Sequence, residues 1–285
     1  MLMLIDGHNM MHRAHWAYRH LSIDEHTPTG MIYGFLVMTL TLIKKYKPKD
    51  LIICFDGGSG KRKLIDPNYK SNRMPLKNGF FQQYVAIVQL LKDLGMKQCL
   101  VEGEEADDVI ATLAQKLKSK DKVIIVSGDH DFLQLIDDNI LVLRAGSDDK
   151  IYDKQMVKEK YGVEANQLYD LLCLTGDGSD NVSGIKNMGV KKAAKLINEY
   201  GNIDEIISKS GENPKLQAIK DNVTILQSNK KVIKLNYGID TKIDSGNKNL
   251  DLVKDMFHNY FKFESLIKRW DEIENLSAIG GQLIE

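Results

Sequence analysis

With 285 residues, 43% of them hydrophobic and 27% charged, the chain can bury the core of one large domain or two smaller ones, which excludes a disordered protein. Its 39 basic and 39 acidic residues give a net charge of zero, so overall charge does not point to a nucleic-acid partner. No apolar run reaches the length of a membrane span and the N-terminus lacks the features of a signal peptide, so we expect a cytoplasmic protein without a membrane partner.

The first half of the chain alternates short apolar runs with helical periodicity. The predicted strands are Leu2–Ile5, Leu51–Phe55, Gln98–Val101 and Val123–Val126, and the predicted helices between them are Met31–Tyr46, Phe80–Leu94 and Ala106–Leu117. This alternation predicts an α/β core with a mostly parallel, twisted central sheet flanked by helices.

After about Val163 the pattern becomes mainly helical. The predicted helices are Leu168–Leu174, Val190–Tyr200, Asp204–Ser208, Pro214–Leu226 and Asp251–Phe257, and Ile279–Glu285 is predicted to be a loose tail. We therefore predict an α/β core over residues 1–165 and a helical region over residues 166–285.

Acidic residues follow all four predicted strands, at the point where each strand ends. They are Asp6, Asp56, Glu102 with Glu104, Glu105, Asp107 and Asp108, and finally Asp129 with Asp131. Sites in open parallel sheets form at the carboxyl ends of strands, so these acids are expected to converge on one edge. Carboxylates held together repel one another, and the usual resolution is a hard cation such as Mg²⁺ or Mn²⁺.

Each acidic segment also has an ordinary structural explanation. Glu104–Asp108 would favour the dipole of the helix that it opens, and Asp6 or Asp56 could cap a helix. Asp177 and Asp180 would share a face if their segment were helical, but the same composition is typical of a turn. The conjunction at four strand ends favours a single site over four coincidences.

Zinc is the less favoured metal for this chain. His8 and His12 have the i, i+4 spacing of ligands on one helix face, but no acid stands between them as in His-Glu-x-x-His. The three cysteines are widely spaced, which argues against both a zinc site and a disulfide framework.

Basic residues are concentrated in two segments. Residues 57–77 hold six of them and one acid, and Tyr69 stands there beside Lys70 and Arg73, a combination that suits base stacking and phosphate binding. The segment Gly184–Ile197 combines two glycines with four lysines at the start of a helix, which suits contacts to a phosphate backbone. The alternatives are a flexible surface loop for the first segment and a solvated lysine face for the second.

Several segments, spread in order over almost the whole chain, resemble the bacterial 5′–3′ exonuclease and flap endonuclease family, which also occurs as the N-terminal 5′-nuclease domain of DNA polymerase I. The matching segments are Leu4–Gly7, Thr27–Gly30, Tyr33–Phe35, Tyr69–Pro75, Gly103–Thr112, Ser127–Asp131, Gly176–Asn181 and Gly184–Ile197. The resemblance implies a PIN-like fold with a basic arch at about 57–77 and a helix–hairpin–helix at about 179–200. The chain ends where polymerase domains would begin, so a stand-alone form is expected.

The resemblance also implies roles for individual residues. Two or more Mg²⁺ or Mn²⁺ ions would be bound by nine acids, in a first set of Asp6, Asp56, Glu105, Asp107, Asp108 and Asp129 and a second set of Asp131, Asp177 and Asp180. Lys70 and Arg73 would stabilise charge on the scissile phosphate, and Tyr69 would stack near the 5′ end. Without the nine acids the chain holds 39 basic and 30 acidic residues, a net charge of +9, which explains how a neutral protein could bind DNA.

The implied DNA contacts lie in both basic segments. They are Lys61, Arg62, Lys63 and Lys77 in the arch, and Gly184, Lys186, Gly189, Lys191, Lys192 and Lys195 in the hairpin. The family also binds K⁺ at this hairpin through main-chain carbonyls. Two segments depart from the family pattern: Lys186–Met188 replaces a second Pro/Gly-rich step, and Lys61–Arg62 stands where the arch commonly begins Phe-Arg.

The implied function is a monomeric, metal-dependent 5′ nuclease. It would act on DNA with a 5′ flap, nick or 5′ overhang and on RNA-primed duplex, in replication and repair. A catalytically weak DNA-structure-binding protein is one alternative, which the full acid set disfavours. A phosphohydrolase of small substrates is another, but that class commonly has Asp-x-Asp after the first strand, where this chain has Asp6-Gly7-His8.

Overall fold

The computed structural model describes residues 1–73 and 79–279, and its centre is a seven-stranded sheet. In chain order the strands are β1 (Leu2–Asp6), β2 (Asp50–Phe55), β3 (Lys97–Leu100), β4 (Val123–Val126), β5 (Ile140–Arg144) and β6 (Lys150–Tyr152), with β7 (Gly176–Asp177) and β8 (Val182–Ser183) forming a separate hairpin and β9 (Ile243–Asp244) returning to the sheet. The order across the sheet is β6-β5-β4-β1-β2-β3-β9. The five central strands are parallel and the two edge strands antiparallel, so the predicted α/β class with a mostly parallel sheet is confirmed.

Helices cover both faces of the sheet. In chain order they are α1 (Gly7–Ala17), α2 (Gly30–Tyr46), α3 (Gly60–Ile65), α4 (Phe80–Asp93), α5 (Ala106–Leu117), α6 (Lys154–Tyr161), α7 (Leu168–Thr175), α8 (Val190–Tyr200), α9 (Ile203–Lys209), α10 (Gln217–Lys220), α11 (Val223–Ile233), α12 (Leu250–Asp255), α13 (Glu264–Ile267) and α14 (Trp270–Glu274). Short 3₁₀ turns at Asp131–Leu135, Ala165–Gln167, Pro214–Leu216 and Asn275–Ala278 and a π-turn at Met256–Tyr260 complete the described structure.

Two buried clusters separate because successive strand residues point to opposite faces. Met3 and Ile5 of β1 pack with α1, α2, α4 and the terminal helices α12–α14. Leu2 and Leu4 pack on the other side with α5 and with the helical elements from α6 to α11. The last helices of the chain therefore return to the N-terminal sheet, and only the middle of the predicted helical region packs beneath α5.

The four strands and three helices predicted for the first half are confirmed, with ends shifted by at most one residue. Several short elements were not predicted, including β5, β6, β9 and α1, because a run of three to five residues or a histidine-rich helix carries little periodicity. The single helix predicted over Pro214–Leu226 is wrong: the chain forms a 3₁₀ turn and α10, breaks at Asp221–Asn222, and starts again at α11.

Some predictions are not tested by the structure. The boundary near residue 165 stays a prediction, and the tail beyond Ile279 lies outside the described residues, as do Lys77 and Met74–Pro75 of the arch. Across the ranges that the structure covers, no helix is both long and apolar enough to cross a membrane.

Candidate active site

The first group of acids gathers at the carboxyl ends of the central strands. Asp6 ends β1 and caps α1, where its Oδ1 accepts the Asn9 N–H at 2.9 Å and its Oδ2 accepts the Ser127 hydroxyl at 2.8 Å. Asp107 lies in the first turn of α5, and Asp129 follows β4. Because β1 and β4 are adjacent and parallel, their ends lie side by side, as the strand-end argument predicted.

Asp56 and Glu105 flank this group. Asp56 follows β2, accepts the Ala106 N–H at 3.3 Å and donates its own N–H to Nδ1 of His8 at 3.1 Å. Glu105 is the residue before α5, and its side chain is 4% exposed. The Oε1 atom of Glu105 is buried and has no hydrogen-bond partner among the described residues.

A second group consists of Asp131, Asp177 and Asp180. One carboxylate oxygen from each lies within 4.8 Å of the others. Asp177 ends β7 and Asp180 lies in the turn before β8. The segment that could have been a helix or a turn is therefore the turn of a β-hairpin. Asp131 comes from the turn after β4, so this group joins the sheet to the hairpin.

Burial and mutual repulsion make it energetically costly to keep these carboxylates ionised together without a cation. Burial raises the pKa of Asp6 to about 6, with hydrogen bonds from Asn9 and Ser127 opposing it. Burial also raises the pKa of Asp131 well above its usual value, and Asp129, Asp177 and Asp180 add to that rise. For Asp107, burial raises the pKa well above its usual value; Lys70 opposes this shift and Asp129 adds to it. An all-oxygen donor set with an unpartnered Glu105 oxygen fits a hard divalent cation.

Lys70 lies between the two groups of acids. Its Nζ is 2.5 Å from Glu105 Oε2, 3.7 Å from Asp180 Oδ2 and 3.8 Å from Asp107 Oδ2. Burial opposes its charge, but Asp107, Glu105 and Asp180 raise the pKa of Lys70 above its usual value. Its backbone adopts a left-handed conformation, φ 54°, that non-glycine residues rarely take, and its N–H donates to the Asp180 carbonyl at 2.9 Å. The arch residue is thus held in place by both its side chain and its backbone.

Arg73 reaches the same site from its rim. Its Nη2 lies 2.7 Å from Asp180 Oδ1, and its side chain is 51% exposed. A half-exposed guanidinium beside an acid cluster is suited to bind a phosphate oxygen that enters from solvent.

The structure does not support the stacking role predicted for Tyr69. The residue is 3% exposed and belongs to the core, so its ring has no free face for a base. Its hydroxyl donates to Glu105 Oε2 at 3.0 Å, which orients that carboxylate instead.

Arg62 and Asp108 also differ from their predicted roles. Arg62 was predicted to contact DNA, but its side chain is 10% exposed and both terminal nitrogens donate to Asp108 at 2.7 Å. Asp108 was predicted to bind metal, but its Oδ1 also accepts the Asn236 N–H at 2.9 Å. Adjacent residues of a helix point about 100° apart, and here Asp107 lies beside Lys70 while Asp108 lies against Arg62.

The remaining predicted lysine contacts among the described residues are exposed. Lys63, Lys186, Lys191, Lys192 and Lys195 are exposed and form no ion pair among the residues described, whereas Lys61 pairs with Glu104. In the hairpin segment Ile185, Met188 and Ala193 are buried, which leaves the lysine face free.

The two glycines of this segment have different settings. A Cβ at Gly184 would meet the Thr175 carbonyl at 2.1 Å, so this position needs glycine for packing. Gly189 precedes α8 and lies in open space, where its backbone can be reached from solvent.

Two further polar residues support the first acid group. Ser127 donates to Asp6, and the Asn9 side chain accepts the Gly128 N–H at 3.0 Å, which ties the end of β4 to α1. Both lie within three residues of a predicted acid, and that proximity is the signal that could have identified them.

Comparisons with known proteins agree with this geometry. The family model described as 5'-3' exonuclease, N-terminal resolvase-like domain, matches residues 1–162, and that described as 5'-3' exonuclease, C-terminal SAM fold, matches residues 163–256. A 5'-3' exonuclease of Buchnera aphidicola subsp. Schizaphis graminum is 35% identical over 94% of this chain and 96% of its own. One from Aquifex aeolicus is 36% identical over 85% of this chain and 84% of its own.

A solved structure shares the fold along nearly the whole chain. The bacteriophage T5 flap endonuclease, in a complex with DNA and metal ions, superposes with a TM-score of 0.70 at 21% identity, over 96% of this chain and 99% of its own.

Proposed function

The chain belongs to the 5′–3′ exonuclease family, and from that premise we propose that its two acid groups bind Mg²⁺ or Mn²⁺ and hydrolyse DNA phosphodiesters at 5′ ends, flaps and junctions. Family membership makes the protein a nuclease. The proposal adds the residues, the metals and the substrate class.

The position of Lys70 is the observation that carries the proposal. It lies between Glu105 and Asp107 on one side and Asp180 on the other, where a phosphate bridging the two groups of acids would come to rest. With the carboxylates neutralised by bound cations, the Lys70 ammonium group would be free to contact that phosphate. Arg73, on the rim, would bind a second phosphate oxygen.

The metal ions would be held by Asp6, Asp56, Glu105, Asp107 and Asp129 in one group and by Asp131, Asp177 and Asp180 in the other. When bound, such ions activate a water molecule and stabilise the departing oxygen. The protein's own contribution is to aim the carboxylates: Ser127 and Asn9 orient Asp6, and Tyr69 orients Glu105. Lys70 and Arg73 would then stabilise negative charge on the scissile phosphate in the transition state.

The exposed lysines Lys186, Lys191, Lys192 and Lys195 would hold the duplex by its backbone without reading sequence. The N-terminus of α8 at Gly189 adds a favourable dipole, and main-chain carbonyls of the segment Gly184–Ile197 would hold K⁺, which would supply a positive charge there. We further propose that the protein acts as a cytoplasmic monomer in replication and repair, on DNA flaps and RNA-primed duplex.

The test compares a 5′-labelled flap, a nicked duplex and an RNA-primed duplex, each with Mg²⁺ and with EDTA. We expect cleavage near the junction of the flap with Mg²⁺, and none with EDTA. Asp131→Asn is the matched control, because it keeps the shape of a predicted ligand and removes its charge. Cleavage that persists in EDTA or in the Asp131 variant would contradict the metal assignment.

A further inference from the structure

One buried ion pair lies beside Glu105 but outside the two acid groups. The Arg62 guanidinium lies in α3, at the base of the arch, and forms a two-pronged contact with the Asp108 carboxylate of α5, both hydrogen bonds being 2.7 Å. Both side chains are at most 10% exposed. Isolated buried charges are costly, so a pair of this kind requires complete hydrogen bonding.

The remaining hydrogen bonds of the pair come from a distant part of the chain. Arg62 Nε donates to the Val232 carbonyl at 2.7 Å and Nη2 to the Lys234 carbonyl at 3.3 Å. Asp108 Oδ1 accepts the Asn236 N–H at 2.9 Å. The Thr112 hydroxyl donates to the carbonyls of Asp108 and Asn236, at 2.8 and 3.2 Å. The pair therefore joins three elements: the arch base, the helix α5, and residues 232–236 at the end of α11 and just after it.

The two acids that precede Asp108 belong to the proposed metal centre. Glu105 Oε2 lies 3.5 Å from Arg62 Nη1, and Oε1 of the same residue is the buried oxygen without a partner among the described residues. In contrast, both oxygens of Asp108 are already satisfied by Arg62 and Asn236. On geometry alone, Asp107 and Glu105 are available to a cation and Asp108 is not.

We propose that Asp108 is a positioning residue and not a metal ligand: with Arg62 it forms a buried junction that fixes α5, and with it Glu105 and Asp107, relative to the arch and to residues 232–236. This inference rests on the proposed function, because it assigns Glu105 and Asp107 to the metal centre. Arg62, which was predicted to contact DNA, is in this proposal the second positioning residue, because it holds Asp108 in place.

The physical consequence is a coupling between the arch and the proposed metal centre. Arg62 belongs to the arch base and donates to both the Val232 carbonyl and Asp108, so a movement of the arch base or of residues 232–236 would shift the guanidinium and, through Asp108, the first turn of α5. Partners of metal ligands change metal affinity or activity by about 10–100-fold when removed. The loss should be the same whichever half of the pair is removed.

The test uses the full chain with Arg62→Gln, with Asp108→Asn, and with both changes. Lys97→Gln is the matched control, because Lys97 forms a buried pair with Asp50 at 2.8 Å, and Asp50 begins the strand whose opposite end leads to Asp56. Three quantities are measured: Mg²⁺ affinity by calorimetry without DNA, kcat on a 5′-flap substrate at saturating Mg²⁺, and the melting temperature.

We expect the two single variants to lose about 10–100-fold in kcat, the double variant to lose no more than either, and all three to bind Mg²⁺ within about threefold of one another. The control should melt lower with kcat unchanged. The proposal is overturned if Asp108→Asn alone weakens Mg²⁺ binding more than about tenfold while Arg62→Gln leaves it intact, or if the losses in kcat add.

Two further results distinguish a positioning role of Asp108 from a folding defect and from a failure of the proposed function. If Arg62→Gln does not fold, Arg62→Lys keeps the charge without the two-pronged contact and should show a smaller loss of the same kind. If the wild-type protein cleaves no substrate, the proposed function fails, while the Mg²⁺ affinities and the additivity of the melting temperatures still decide whether Asp108 acts with Arg62 or with the metal.

Discussion

The ammonium group of Lys70 donates a 2.5 Å hydrogen bond to Glu105 Oε2, and the two side chains are 9% and 4% exposed. Lys70 of the arch and Glu105 of the proposed metal centre are thus buried together. The position of the arch therefore affects the net charge of the proposed metal centre. Lys70 is therefore enclosed beside the proposed metal centre, unlike an exposed lysine that could serve only to anchor DNA.

Replacing Lys70 with alanine should reduce turnover far more than DNA binding. We expect kcat on a 5′ flap to fall by about 10²–10³-fold, since a charge aimed at the transition state is lost, while the dissociation constant in EDTA changes by less than about threefold because the exposed lysines remain. Single-turnover cleavage and fluorescence anisotropy measure the two quantities. Lys118→Ala, which removes a lysine paired with Asp137 near the start of β5, serves as the control. Equal losses in both quantities would make Lys70 an anchor only.

Asp131→Asn should abolish cleavage and yet stabilise the metal-free protein. The pKa of Asp131 is raised by burial, then by Asp129, Asp177 and Asp180, so its ionised form is disfavoured by folding. Such a group costs stability above its unfolded pKa, and the neutral amide removes that cost, so the variant should melt at a higher temperature than the wild type at pH 8. Melting curves in EDTA measure the difference.

Addition of Mg²⁺ to about 100 times the dissociation constant should reverse that order, because it stabilises the wild type by about 2.7 kcal/mol. The variant should respond much less. If Mg²⁺ does not change the melting temperature of the wild type, the proposed metal centre is contradicted.

Asp170, which belongs to neither acid group, should make the free energy of unfolding depend on pH. Burial raises its pKa to about 6, although its carboxylate accepts the Ile203 N–H at 3.1 Å. A raised folded pKa means that the folded state binds the proton more tightly, so the group destabilises the fold more as pH rises from its unfolded value near 4 to above 6. The stabilisation gained by Asp170→Asn should therefore be about 1 kcal/mol larger at pH 8 than at pH 5. Denaturant titrations at both pH values measure it, and a pH-independent difference would contradict this pKa.

The lysines of the hairpin segment should account for part of the salt dependence of DNA binding. Each lysine that neutralises a phosphate contributes about one unit to the slope of log affinity against log salt. Lys191→Ala with Lys192→Ala should thus lower the slope by about two and weaken binding for all sequences alike. Lys268 is an exposed lysine next to α13, which packs on the opposite face of the sheet from α8. Lys268→Ala should therefore leave the slope unchanged. An unaltered slope in the double variant would leave the lysine face as solvated surface.

Sequence alone determined the four central strands β1 to β4 and the convergence of the acids at their ends. Strand periodicity and the rule that parallel strands end at one edge brought Asp6, Asp107 and Asp129 together before any contact was known. Family motifs extended the set to Asp177 and Asp180, whose local composition could equally have formed a turn away from the site. These predictions succeeded because they depend on regular backbone geometry, which is encoded locally.

Only the tertiary structure decided which charged side chains face the site. Arg62 and Asp108 have the composition of a DNA contact and a metal ligand, but their partners are Val232, Lys234 and Asn236, more than 120 residues away in sequence. Tyr69 has the composition of a stacking residue, but it is buried against Glu105. Burial and hydrogen-bond partners depend on how distant segments pack, and the local pattern of residues carries no record of that packing.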